Sequence, residues 1–174
     1  MERGPRRNGP VPGGLVSCHG SSGVGTFLLL LWQITGDARY LDHARKAAVA
    51  VLEDAPRSYH GACHGLSANG HLLLDLAQAL GEDAYARQAE DLATGLAVRS
   101  ARRAGRHLFG NPLGRRATFG HADGIAGALG FLLRLRHGGP RPFTPVPPAP
   151  AAGPESCGSQ PQPARITTEE VNRT

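Results

Sequence analysis

Cys18-His19-Gly20-Ser21-Ser22-Gly23-Val24-Gly25 and Cys63-His64-Gly65-Leu66-Ser67-Ala68-Asn69-Gly70 are two copies of one segment, 45 residues apart. The same offset holds for Leu28/Leu73, Leu31/Leu76, Gly36/Gly81, Asp37/Glu82, Tyr40/Tyr85 and Ala44/Ala89. A period of this length makes each repeat one supersecondary unit that needs its neighbours to bury an apolar face. A third copy opens at Ala122-Asp123-Gly124, with Gly124 lying 59 residues beyond Gly65. Its Phe131-Leu132-Leu133-Arg134-Leu135 matches Leu72-Leu73-Leu74-Asp75-Leu76, and the extra residues fall in a basic, glycine-containing loop. This third copy has lost both the Cys and the His.

Each full copy reads as two helices. The first, over about Ser22 to Thr35, is apolar on nearly all sides, as for an inner helix buried between neighbours. Gly36 closes it and Asp37 caps the next. The second helix carries Tyr40, Ala44, Ala47 and Val51 on one side and Asp42, Arg45, Lys46 and Glu53 elsewhere, so it is an amphipathic outer helix. Tyr85, Ala89, Leu92 and Leu96 repeat that pattern. The fold class is therefore all-α, built from inner and outer helices in repeated hairpins. Aromatic residues make up only 5% of the chain against 40% hydrophobic, which favours aliphatic helix-on-helix packing over a β-sandwich.

Residues 15–143 carry the structured part of the 174-residue chain. Residues 1–14, rich in Gly, Pro and Arg, read as a flexible segment, and 144–174 as a disordered Pro-rich tail. The longest apolar run, Phe27 to Trp32, is too short to cross a bilayer, and no apolar stretch follows the N-terminal arginines as in a secretory signal. A cytoplasmic protein without a membrane partner is expected. The net charge of +5 raises nucleic acid as a partner. Against that, the arginines at 99, 102, 103, 106, 115 and 116 have no aromatic among them until Phe109, so a base-stacking platform is missing. The basic stretch reads as a solvated loop; its sharper reading is attraction of an acidic peptide.

Three cysteines, an odd number without a secretion signal, point to metal binding or catalysis rather than a disulfide framework. Cys18 and Cys63 each precede an inner helix, whose N-terminus favours a thiolate. If successive inner helices start at the same level, the two sulfurs meet. With neutral His64 they make a Cys₂His set, the ligand count of a zinc ion with its fourth position open. Either cysteine alone would suit a small buried hydrophobe, but two on a repeat, each followed by His-Gly, favour the metal. His19 is a candidate acid or a core histidine. His71 lies within an inner helix and reads as packing, while His121 and Asp123 stand at the metal level of the third copy, where an outer-shell partner or an acid is the sharper reading and a helix cap the favoured one. Cys157, in the tail, reads as an idle thiol.

The paired segments at 18–25 and 63–70, with the closing Arg136-His137-Gly138-Gly139-Pro140-Arg141-Pro142-Phe143, resemble the lanthionine synthetase C-like cyclases, closest to the cyclase domain of fused kinase–cyclase lanthipeptide synthetases. The resemblance spans about Leu15 to Phe143. It implies a toroidal α/α barrel, of which this chain would form a partial toroid, with Zn²⁺ on Cys18, Cys63 and His64 and with His19 as the candidate catalytic residue. The implied reaction adds a peptide cysteine thiolate to dehydroalanine or dehydrobutyrine and closes a thioether ring. The partners it implies are a lanthipeptide precursor, and the first half of the barrel or a kinase or lyase partner. A non-catalytic, zinc-stabilised module that binds peptides is the competing reading. Ser17 stands where such cyclases commonly have tryptophan.

Overall fold

The computed structural model describes residues 20–63, 65–109 and 117–142. Five helices follow one another: α1 (Ser21–Thr35), α2 (Ala38–Asp54), α3 (Leu66–Leu80), α4 (Asp83–Arg99) and α5 (Ile125–His137). A short 3₁₀ turn (Ala55–Arg57) follows α2, and a hairpin of β1 (Ala101–Arg103) and β2 (Arg106–Leu108) separates α4 from α5. The fold is all-α, and the hairpins α1–α2 and α3–α4 pack side by side with α5 beyond them.

Local chemistry sets the helix ends. Gly36 and Gly81 both take the left-handed conformation, at φ 71° and 67°, where a side chain would be strained. Their N–H groups donate to Trp32 O at 2.8 Å and Ala77 O at 2.9 Å. The Asp37 carboxylate accepts from Arg39 N–H at 2.9 Å and caps α2. Its repeat counterpart Glu82 makes no such cap and instead pairs with Arg45 of the preceding outer helix. The amphipathic faces fall where the sequence put them: α2 buries Ala44, Ala47, Ala48 and Val51, and α4 buries Ala89, Leu92 and Leu96.

The inner helices interlock by one repeated device. A Cβ on Gly25 of α1 would stand 2.7 Å from Leu72 Cδ2 of α3 and 2.9 Å from Ala47 Cβ of α2. A Cβ on the equivalent Gly70 of α3 would overlap the Phe131 ring of α5. Leu72 and Phe131 are themselves repeat equivalents, so each inner helix seats its neighbour's side chain in a glycine notch. Sequence analysis expected every inner helix to be buried between neighbours. That holds for α3, with ten of its fifteen residues buried, but α1 buries only Ser22, Gly25 and Leu29, because among the described residues an inner-helix neighbour, α3, packs on one side of it alone.

After α5 the chain turns back across the inner helices. Gly139 O accepts from Arg134 Nε at 3.0 Å and Gln78 Nε2 at 3.2 Å, and Arg141 Nη1 donates to Thr26 Oγ1 of α1 at 2.9 Å. Asp75 of α3 pairs with Arg134 at 2.6 Å and faces Arg141 at 3.6 Å. One carboxylate and two guanidiniums thus tie α3 and α5 to the closing segment, and Arg141 carries the tie on to α1.

The basic stretch after α4 departs from the expected solvated loop. Its described part forms the β1–β2 hairpin, with Arg102 opposite His107, turned by Ala104 and Gly105 at φ 49° and 74°. Two positive φ values in a two-residue connection make a tight turn whose twist suits paired strands. Arg102, Arg103 and Arg106 remain exposed, and Phe109 just beyond is buried. Residues 110–116, with Arg115 and Arg116, lie outside the described residues, as do the segments 1–14 and 144–174 and Cys157. Among the described residues no helix is long and apolar enough to cross a membrane.

Candidate metal centre

Gly20, Gly65 and Gly124 occupy the N-cap of α1, α3 and α5, all in extended backbone. The three repeats therefore start their inner helices at the same residue, and the Cys-His dipeptide stands immediately before that start. Cys63 lies two residues ahead of the α3 N-cap, with its side chain partly exposed.

The loop carrying Cys63 is held on three sides. Tyr59 pairs with Gly65 as a parallel bridge, and Leu66 N–H donates to Tyr59 O at 2.8 Å. Ser67 Oγ donates to His60 O, and Asn69 Nδ2 to Ser58 Oγ at 3.3 Å. The His60 ring packs against Phe109 at 5.3 Å between centroids. The third tie is to the next repeat. Cys63 N–H donates to Ala122 O at 2.9 Å, and Ala122 is the residue that replaces Cys in the third copy. Equivalent positions of successive loops are therefore in direct backbone contact. Gly61 allows this approach, since a Cβ there would stand 2.7 Å from Asp123 Cα.

In the third copy, Thr118 closes the loop: its Oγ1 donates to Asp123 O at 2.9 Å, and its O accepts from Ile125 N–H at 3.0 Å. α5 takes Gly124 as its N-cap, so neither His121 nor Asp123 is the N-cap residue itself. Asp123 contributes its main-chain oxygen to the loop.

His71 is a packing residue, as expected. It is buried against Phe131, with ring centroids 5.7 Å apart, and its Nδ1 lies 3.4 Å from Arg134 Nη1. Burial, reinforced by the positive charges of Arg141 and Arg134, lowers its pKa to about 3 and keeps it neutral. Burial likewise pushes the Asp75 carboxyl up, against the pull of Arg134 and Arg141. Neither the Asp75–Arg134–Arg141 cluster nor its tie to Thr26 was read from the sequence; the only signal was that Asp75 and Arg134 occupy one repeat position with opposite charges.

Of the four expected site residues, the structure places Cys63. Cys18, His19 and His64 lie outside the described residues. Among the described residues no three His, Cys, Asp or Glu side chains gather as a metal-ligand set. What is described fits zinc in its chemistry: a cysteine side chain, partly exposed, just ahead of a helix N-terminus on a tethered loop.

No curated protein matches the sequence. The model of one family, lanthionine synthetase C-like protein, matches residues 18–146, a span that takes in both Cys-His-Gly segments, the three inner helices and the closing Arg-rich turn. The chain belongs to the lanthionine synthetase C-like family.

Proposed function

We propose that the chain performs zinc-dependent lanthionine cyclisation, with Cys18, Cys63 and His64 as the metal ligands. The observation that supports this most is the bond from Cys63 N–H to Ala122 O at 2.9 Å. Position 122 is to the third repeat what 63 is to the second and 18 to the first. If the first loop meets the second as the second meets the third, Cys18 and Cys63 share one rim and His64 follows directly. Zinc held by two thiolates and an imidazole would supply the means to bind a peptide cysteine as its thiolate.

The remaining chemistry falls to the polypeptide. The ties at Tyr59, His60 and Cys63 N–H fix the loop that carries Cys63, and the nearby start of α3 stabilises negative charge. In the reaction, the peptide sulfur forms a bond to the β-carbon of dehydroalanine or dehydrobutyrine. The carbon–carbon π pair moves into an enolate, and the α-carbon takes a proton from an acid. His19, adjacent to Cys18, is our candidate for that acid. The substrate is a dehydrated lanthipeptide precursor.

The test is made on the full chain. Purified protein is expected to hold one zinc, which is lost in Cys18→Ala and Cys63→Ala. Incubation with a dehydrated, cysteine-containing peptide is expected to remove its alkylatable thiol without a change in mass. Zinc retained in both variants would refute the ligand set. Zinc bound with no loss of peptide thiol would favour the non-catalytic peptide-binding module.

A further inference from the structure

The end of the molecule that carries Cys63 also carries an apolar cavity that the proposed chemistry does not use. α3 and α5 begin at this end, and α4 runs back to finish there before the β1–β2 hairpin. Thr118 N–H donates to Phe109 O at 3.2 Å, which joins the close of the hairpin to the loop before α5. Between these elements and α4 lies a cavity of about 700 Å³, lined by Leu96, Phe109, Phe119, Ile125, Leu129 and Leu132. That volume suits a ligand larger than a single side chain. Phe109 is buried in its wall, whereas Phe119 is 72% exposed and Leu129 52%. Large apolar groups gathered in water around a concavity mark a binding surface.

Two contacts join this cavity to the candidate metal centre. The His60 ring packs on Phe109, and the loop that brings Phe119 and Ile125 to the cavity is the one whose Ala122 O accepts from Cys63 N–H. The rim carries one sign of charge. Arg106 and His107 stand on it. Arg103 is the cross-strand partner of Arg106, and such partners share a face of the hairpin, here the face that also carries Leu108. Arg102, Arg103 and Arg106 are exposed, and none pairs with a carboxylate among the described residues. From Leu92 to Ala122 the chain has no acidic residue at all. Solvation alone explains exposed arginines, but not an apolar cavity set beside them.

We propose that this cavity docks a segment of the substrate peptide outside its ring-forming residues, an acidic stretch that inserts large apolar side chains. The proposal rests on the reading of the chain as a peptide-modifying enzyme, and adds to the reacting cysteine a second point of attachment. Apolar anchors remove Phe119 and Leu129 from water, while carboxylates flanking the anchors meet Arg103 and Arg106. A peptide held here lies beside the loop of Cys63, so docking raises the effective concentration of its own cysteine at that loop. A basic peptide loses the charge attraction, and a wholly polar one leaves the cavity unfilled.

The first arm of the test uses the full chain with a zinc chelator present and follows the fluorescence anisotropy of a labelled peptide, Glu-Asp-Leu-Phe-Asp-Glu. The peptide is expected to bind, and to bind about tenfold more weakly to Phe119→Asp and to the double variant Arg103→Glu/Arg106→Glu. These positions are exposed, so both variants are expected to keep the helical circular dichroism of the parent. Exchanging Leu-Phe for Ser-Gly in the peptide is expected to cost as much, and exchanging its acids for lysine to abolish binding. Binding indifferent to both protein variants, or equal for the lysine peptide, would overturn the proposal. So would tighter binding of a single-stranded oligonucleotide, or self-association of the chain that Phe119→Asp disperses. The second arm restores zinc and joins the same acidic segment to either end of a dehydrated, cysteine-containing peptide. The KM for thiol loss is expected to fall about tenfold against the unextended peptide with kcat unchanged, and Phe119→Asp to cancel the gain. Selective binding in the first arm with no thiol loss in the second would refute the cyclase reading and leave the docking surface standing. Thiol loss with a KM indifferent to the extension and to Phe119→Asp would refute the docking surface and leave the cyclase reading standing.

Discussion

Replacing Gly70 with alanine sets two effects against each other, and the geometry decides between them. Alanine at a helix interior is favoured over glycine by about 1 kcal/mol, because it loses less backbone entropy on folding. At Gly70 the new methyl would overlap the ring of Phe131, which is fully buried and so cannot swing into solvent. Relief requires α5 to move away from α3, and overpacking of this kind costs about 1–3 kcal/mol. The overlap falls on several ring atoms at once, which puts the cost at the upper end and the net loss at about 1–2 kcal/mol. In urea that is a fall in midpoint of about 0.5–1 M for a domain of this size. Gly95 supplies the control: on α4 its Cβ would meet only Leu66 Cδ1, at 3.8 Å, an ordinary contact. Gly95→Ala is expected to stabilise by about 0.5–1 kcal/mol. Adding Phe131→Leu to Gly70→Ala should recover part of the loss, with a coupling of about 1 kcal/mol in the double-mutant cycle. If Gly70→Ala proves as stable as Gly95→Ala, the glycine-notch account of how the inner helices pack is wrong.

Asp75→Asn removes the counter-charge from two buried guanidiniums, with the Arg134 side chain only 3% exposed, and is expected to destabilise by about 3 kcal/mol in equilibrium unfolding at pH 7. A loss below 1 kcal/mol would mean that the closing segment is held by its main-chain bonds alone. His71 gives a pH signature. Its folded pKa of about 3 lies below the ordinary histidine value of 6.5, so between those values the unfolded chain binds the extra proton. Its contribution is present above the unfolded value and fades as pH falls, with a slope of at most about 1.4 kcal/mol per pH unit. Urea midpoints at pH 7 and pH 5 are expected to differ more in the wild type than in His71→Gln, and equal differences would refute the burial of a neutral imidazole.

The architecture could be read from the chain because its signals are local and occur twice. Gly36 and Asp37 end one helix and start the next through bonds that span two to four residues, and Ala44, Ala47 and Val51 declare their face by spacing alone. The repeat then carried these assignments from one hairpin to the next, and it placed Cys63 ahead of a helix N-terminus. Four features could not be read this way. The union of Asp75, Arg134, Arg141 and Thr26 joins three helices and a returning segment, and no local pattern encodes which charges will meet when the chain turns back. The β1–β2 hairpin hides in an arginine-rich stretch, its turn built on Ala104, a residue that rarely accepts a positive φ. The contact of Cys63 with Ala122 follows from how closely the two loops approach, which Gly61 permits but does not demand. Last, α1 is apolar nearly all round, a composition that calls for neighbours on both sides; only packing shows that one side has α3 and the other leaves Phe27 in water. Periodicity records which surfaces want burial, whereas the neighbour that buries them is set by the three-dimensional arrangement.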